Sequence, residues 1–167
     1  VCSSDLYFQL NTYTYDSQYL PVMAALRDDP ATAGVNEAGF VAVWRSHSQD
    51  GSGAGIYGQR FDAAGGKLGN EFQINTNNVG NQYNPTVATL AGGDFVVVWS
   101  DESDYSVRGQ RYTAGGVAVG GEFVVNTPDF PSNYEQSPQV TALANGGFVV
   151  AWDAYYNATV ADYYNVW

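Results

Sequence analysis

The chain has 167 residues, with 17 Asp and Glu against six Lys and Arg and a formal net charge of −11. That balance excludes a nucleic-acid-binding face, which needs clustered Lys and Arg, and an anionic membrane surface would repel it. Nineteen Gly, thirteen Tyr and a single lysine, Lys67, argue against long helices and for short strands joined by turns.

No apolar run approaches the ~18 residues a membrane helix needs, so no membrane insertion is expected. No charged segment leading into an apolar stretch marks a leader either. The first six residues, Val1-Cys2-Ser3-Ser4-Asp5-Leu6, resemble the translation of a common sequencing adapter and are read as an artefact. Cys2, the one cysteine, then leaves every redox argument, and a chain otherwise free of Cys is compatible with export.

From Tyr7 onward four landmarks recur in fixed order. The first is Phe8…Asn11-Thr12, Phe72…Asn75-Thr76 and Phe123…Asn126-Thr127. The second is a proline expected to open a strand: Pro21, Pro85 and Pro138, each followed five residues on by Leu26, Leu90 or Leu143. The third is Phe40-Val41-Ala42-Val43-Trp44, Phe95-Val96-Val97-Val98-Trp99 and Phe148-Val149-Val150-Ala151-Trp152. The fourth is Gly58-Gln59-Arg60-Phe61 and Gly109-Gln110-Arg111-Tyr112, each followed by Gly-Gly. Phe72 and Phe123 stand 51 residues apart, Phe8 and Phe72 stand 64 apart, and an insert around Arg27–Gly34 accounts for most of the difference. The repeats are therefore bounded at about 7–70, 71–121 and 122–167, the last breaking off in mid-strand, and 7–167 reads as one repeat-domain fragment.

The third landmark is β-branched and aromatic, and turn formers precede each copy. In a strand, Phe95, Val97 and Trp99 point to one side and Val96 and Val98 to the other, so both faces are apolar and both need cover. The Phe72 and Gly-Gln-Arg stretches alternate polar with apolar and are expected to be half-exposed strands near a rim. Four short antiparallel strands per unit, with one strand buried on both faces, fit an all-β fold of consecutive blades of a partial β-propeller. A sandwich or another stacked β-repeat are the alternatives. Units at the ends of such a stack would lack a neighbour, so their outer faces are expected to be bare.

Gly-Gly-Phe-Val-Val-Ala-Trp, Gly-Gln-Arg-Phe-Asp-Ala-Ala-Gly-Gly and Glu-Phe-Gln-Ile-Asn-Thr together resemble a tandem repeat of large bacterial surface and secreted proteins. Such repeats often accompany hemolysin-type calcium-binding repeats. The resemblance implies an exported protein, extracellular or on the cell surface, whose partners are further repeats of its parent and a surface glycan or protein. It brings no catalytic residue.

Chemistry is sparse. His47 is the single histidine, so no nucleophile triad or zinc site can be completed around it. Gly51-Ser52-Gly53 lacks the lysine of a phosphate loop. A glycosidase needs only two carboxylates, and Asp28, Asp29, Asp50, Asp101, Glu102, Asp104, Asp153 and Asp162 are the loop candidates, with no pair set apart. Arg60 and Arg111 hold equivalent repeat positions, which favours a structural role. Asp50-Gly51-Ser52-Gly53 and Asp101-Glu102-Ser103-Asp104 are oxygen-rich enough for Ca²⁺, yet neither has an alternating Asp motif; Asp62-Ala63-Ala64-Gly65 loses its carboxylate in the next copy, Thr113-Ala114-Gly115, and turn chemistry explains these loops. Tyr105, Tyr134, Tyr155, Tyr156, Tyr163 and Tyr164 are candidates for stacking on sugars, while Trp44, Trp99 and Trp152 recur in register and belong to the core. No catalytic, cofactor-binding or metal residue is assigned. The expectation is a non-enzymatic structural or adhesive module without a cofactor; the alternatives are a glycan-binding or sialidase-like glycan-cleaving propeller and a calcium-stabilised domain.

Overall fold

A computed structural model describes residues 8–27, 38–126, 133–158 and 161–166. The insert residues Asp28 and Asp29, and the first six residues with Cys2, lie outside them. Among the described residues the chain is all-β, with antiparallel pairing throughout. Strands β1 (Gln18–Leu26), β2 (Gly39–His47), β3 (Ala54–Asp62) and β4 (Lys67–Gln73) form a first sheet in that order. Strands β5 (Gln82–Thr89), β6 (Phe95–Asp101), β7 (Ser106–Tyr112) and β8 (Ala118–Val124) form a second with the same order. Strands β9 (Asn133–Ala142), β10 (Phe148–Ala158) and β11 (Ala161–Val166) form a third, in the order β11-β10-β9. Phe72 and Phe123, which open the sequence repeats, stand on the last strands of the first and second sheets.

The sheets stack face to face. Val96 and Val98 are fully buried and pack with Ala88, Leu90, Phe123, Val140, Phe148 and Val150, so that side of the second sheet meets the third. Phe95, Val97 and Trp99, also fully buried, join Val41, Val43, Ile56 and Ile74 of the first sheet region. The apolar run on both faces is the cause: a strand walled by Val on one side and Phe/Trp on the other has no face to give to water. β5 lies against β1 on one side and β9 on the other.

Three expectations change. The prolines do not open their strands. Pro21, Pro85 and Pro138 lie inside β1, β5 and β9, where the register slips against the neighbouring strand, and the preceding Leu20, Asn84 and Ser137 have φ of 53°, 52° and 52°. A bulge leaves a residue unpaired, so a proline without an N–H fits there.

The Gly-Gln-Arg strands are not half-exposed. β3 and β7 are interior strands, and Gln59 and Gln110 are buried at the bulges that join them to β4 and β8. Each amide donates to main-chain carbonyls beside its bulge: Gln59 Nε2 to those of Arg60, Leu68 and Gly69, and Gln110 Nε2 to those of Arg111, Val119 and Gly120. The amide nitrogen of a buried polar side chain is thus satisfied by the backbone around it. The outer strands are not buried, as a rim position requires: β4 is half-exposed and β8 largely exposed.

Finally, the outer face of the first sheet is not bare. Ala42, Trp44, Tyr57 and Phe61 are buried there, with Leu10 and Phe40 packed against them and Phe8 5.5 Å from the Phe61 ring. The segment from Phe8 to Gln18 seats on the first sheet as Phe72 to Gln82 seats on the second. Asn11 Nδ2 donates to Gln18 Oε1 as Asn75 Nδ2 does to Gln82 Oε1, and Thr12 N donates to Glu71 as Thr76 N does to Glu122.

Candidate functional site

Two constellations of polar side chains depart from the repeat. The first surrounds Arg108. Its guanidinium meets Asp101 at 3.2 Å, Asp104 at 2.5 Å and Glu122 at 2.8 Å. The Asp101 side chain is wholly buried and also accepts from the Ser103 backbone N and Asn77 Nδ2. Burial pushes the Asp104 carboxyl up, but hydrogen bonds from Ser106 and Arg108 outweigh it and hold the group below its ordinary value. Tyr57 stands where Arg108 does in the first sheet, so this knot belongs to one unit alone. Its carboxylates are already engaged by the guanidinium and hydrogen-bonded, which makes it a clasp rather than an open site.

The second is a cleft of about 470 Å³ at the rim of the first sheet, lined by Thr12, Tyr13, Gln49, Gln59, Lys67, Gly69, Asn70 and Glu71. Glu71 organises one wall, accepting from Thr12 N at 2.5 Å and from Gln49 Nε2 at 2.7 Å. Lys67 Nζ donates to Thr12 Oγ1 at 3.0 Å. Two buried amide oxygens, Gln49 Oε1 and Gln59 Oε1, have no hydrogen-bond partner. The Tyr13 ring meets the Tyr15 ring edge-on at 6.4 Å, and Tyr15 is 76% exposed. Burial, with the carboxylates of Asp50 and Glu71 nearby, pushes the neighbouring Tyr57 phenol up to about 12, so that hydroxyl stays neutral at physiological pH.

In the second sheet the counterparts of Tyr13, Lys67 and Asn70 are Asn77, Ala118 and Gly121, while Gln59 and Glu71 keep theirs in Gln110 and Glu122. The cleft is therefore repeat scaffold carrying side chains that do not repeat. The arrangement offers carbonyl and carboxylate acceptors, an ammonium donor and an aromatic ring. Only the lone Lys67 was a signal in the sequence, since pairing brings the rest together from four separate stretches.

The carboxylates singled out in the sequence scatter. Asp50 Oδ1 accepts from Ser52 N, and Asp62 Oδ1 accepts from Ala64 N and Gly66 N, which is turn chemistry. Asp101 and Asp104 are held by Arg108, and the described residues contain no group of three or more His, Cys, Asp or Glu that could hold a metal. His47 closes β2 and meets Asp16 Oδ2 at 3.3 Å. Arg60 Nη1 donates to the Gly115 carbonyl, and Arg111 meets Asp94 at 3.6 Å. Tyr105 is half-buried, whereas the side chains of Tyr134, Tyr155, Tyr156, Tyr163, Tyr164 and Asp162 lie outside the described residues. Trp44 and Trp99 are core residues, at most 2% exposed.

No protein-family model matches the chain, and no curated protein does. One solved structure is similar: the endo-arabinase from Bacteroides thetaiotaomicron VPI-5482, at 14% sequence identity and a TM-score of 0.46. The match covers 78% of this chain and 51% of that one, so the chain spans about half the length of the arabinase. The expectation of a non-enzyme is corrected by this finding, because the similar structure is that of an enzyme. The expectation rested on the single histidine and on loop carboxylates among which no pair stood apart.

Proposed function

We propose that the chain is a run of β-propeller blades that binds carbohydrate in the rim cleft of the first sheet. The propeller reading is supported by the shared strand order of the first two sheets, by their face-to-face stacking, and by the placing of β5 between β1 and β9 with β4 and β8 at the exposed rim. Carbohydrate is supported above all by one observation: an open cleft of about 470 Å³ sets a tyrosine ring beside the side chains of Lys67, Asn70 and Glu71. Sugar hydroxyls donate and accept at close spacing, which suits ammonium, amide and carboxylate groups side by side. The flat faces of a sugar ring suit an aromatic neighbour. Placement outside the cell and partnership with further repeats belong to the same proposal and rest on the resemblance of the repeat.

The test is calorimetric titration with a panel of neutral and acidic oligosaccharides, on the wild type and on Tyr13→Ala and Lys67→Ala. Binding by at least one oligosaccharide, weakened about tenfold by either substitution, is expected, since each removes roughly one hydrogen bond or ring contact. No binding by any member, or binding that both variants leave unchanged, would contradict the reading.

A further inference from the structure

The two ends of the stack carry opposite halves of one interface. Between the first and second sheets, and again between the second and third, one sheet offers a Leu and a Val that the next sheet covers. Leu26 is 4% exposed and Val41 fully buried, and Leu90 is 2% exposed and Val96 fully buried. At the third sheet the residues in these repeat positions are Leu143 and Val149, and they are 41% and 49% exposed. The reverse holds at the first sheet. Val87 packs inside the core between the first and second sheets, and Val140 packs against the second. Their counterpart Met23 is 62% exposed and borders an open apolar groove with Phe8, Ala25, Phe40 and Ala64.

We propose that a second copy of this chain docks head to tail, its third sheet presenting Leu143 and Val149 to the Met23 groove of the first. The occupant follows from continuity with two interfaces already present in the chain: the groove is the receiving half, and the third sheet carries the matching half. The two halves differ, so the contact is heterologous, and it grows into chains or closes into a ring according to the rotation per copy. The Phe8–Gln18 segment fits this picture, because it supplies on the first sheet the contacts that the end of β4 supplies on the second. This inference is independent of carbohydrate binding.

Sedimentation velocity over a concentration series tests it with the exposed-site variants Met23→Glu and Val149→Glu, each checked for wild-type circular dichroism. The wild type should sediment increasingly fast with concentration. Each variant alone should remain monomeric, because every contact in either solution contains a charged half. An equimolar mixture should regain a dimer, formed by the intact groove of Val149→Glu and the intact third sheet of Met23→Glu. A wild type that stays monomeric throughout, a mixture that fails to associate, or a Val149→Glu variant that associates as the wild type does would each overturn the proposal.

Discussion

At Arg108 a single guanidinium meets three carboxylates, one of them wholly buried. Replacing it with methionine keeps most of the apolar stem and strands Asp101 among groups that cannot neutralise it. Arg108→Met should cost about 3 kcal/mol in urea unfolding, and a loss of only a few tenths would mean the clasp is ornamental. Asp104 adds a pH signature. Its folded value lies below the ordinary carboxylate value, so its contribution is complete above about pH 5 and fades as pH falls through the folded value. Asp104→Asn should flatten that part of the stability profile by lowering the neutral plateau toward the acid value, read from urea unfolding across pH. Gly109 is fixed by space rather than by backbone: a Cβ there would stand 2.7 Å from Phe123 Cζ. Gly109→Ala should therefore destabilise by roughly 1–3 kcal/mol through overpacking, again read from urea unfolding.

At the scale of the strand, the pattern Phe-Val-Val-Val-Trp told most of the story in advance. Alternation assigns Phe95, Val97 and Trp99 to one side and Val96 and Val98 to the other, and the two core clusters divide along that line. The Gly-Gln-Arg strands misled because polarity was taken for exposure. Gln59 is polar and buried since it serves a bulge, and a bulge is a property of two strands that neither betrays alone. The prolines misled for the same reason, as the slip they occupy appears only once β1 and β2 are paired. The cleft was the least legible feature. Thr12, Gln49, Lys67 and Glu71 meet through the pairing of β3 with β4 and the seating of an N-terminal segment, and no local spacing encodes that meeting.

For the molecule as a whole, stability and any function depend on sheets lying flank to flank, with the valine-rich strand of the second sheet shut off from water on two sides. If they do, the unit can be repeated, its end faces are sticky, and side chains along the rim are free to vary, as Tyr13 and Lys67 do. If they do not, the clasp, the cleft and the docking faces lose their common frame. Methyl relaxation by a soluble paramagnetic agent separates these cases within one sample, because Val117, 67% exposed and outside the proposed docking faces, serves as an exposed standard. The account predicts that the methyls of Val96, Val97 and Val98 are all shielded while those of Val117 relax fast. Val96 and Val98 relaxing as fast as Val117, with Val97 alone protected, would contradict it.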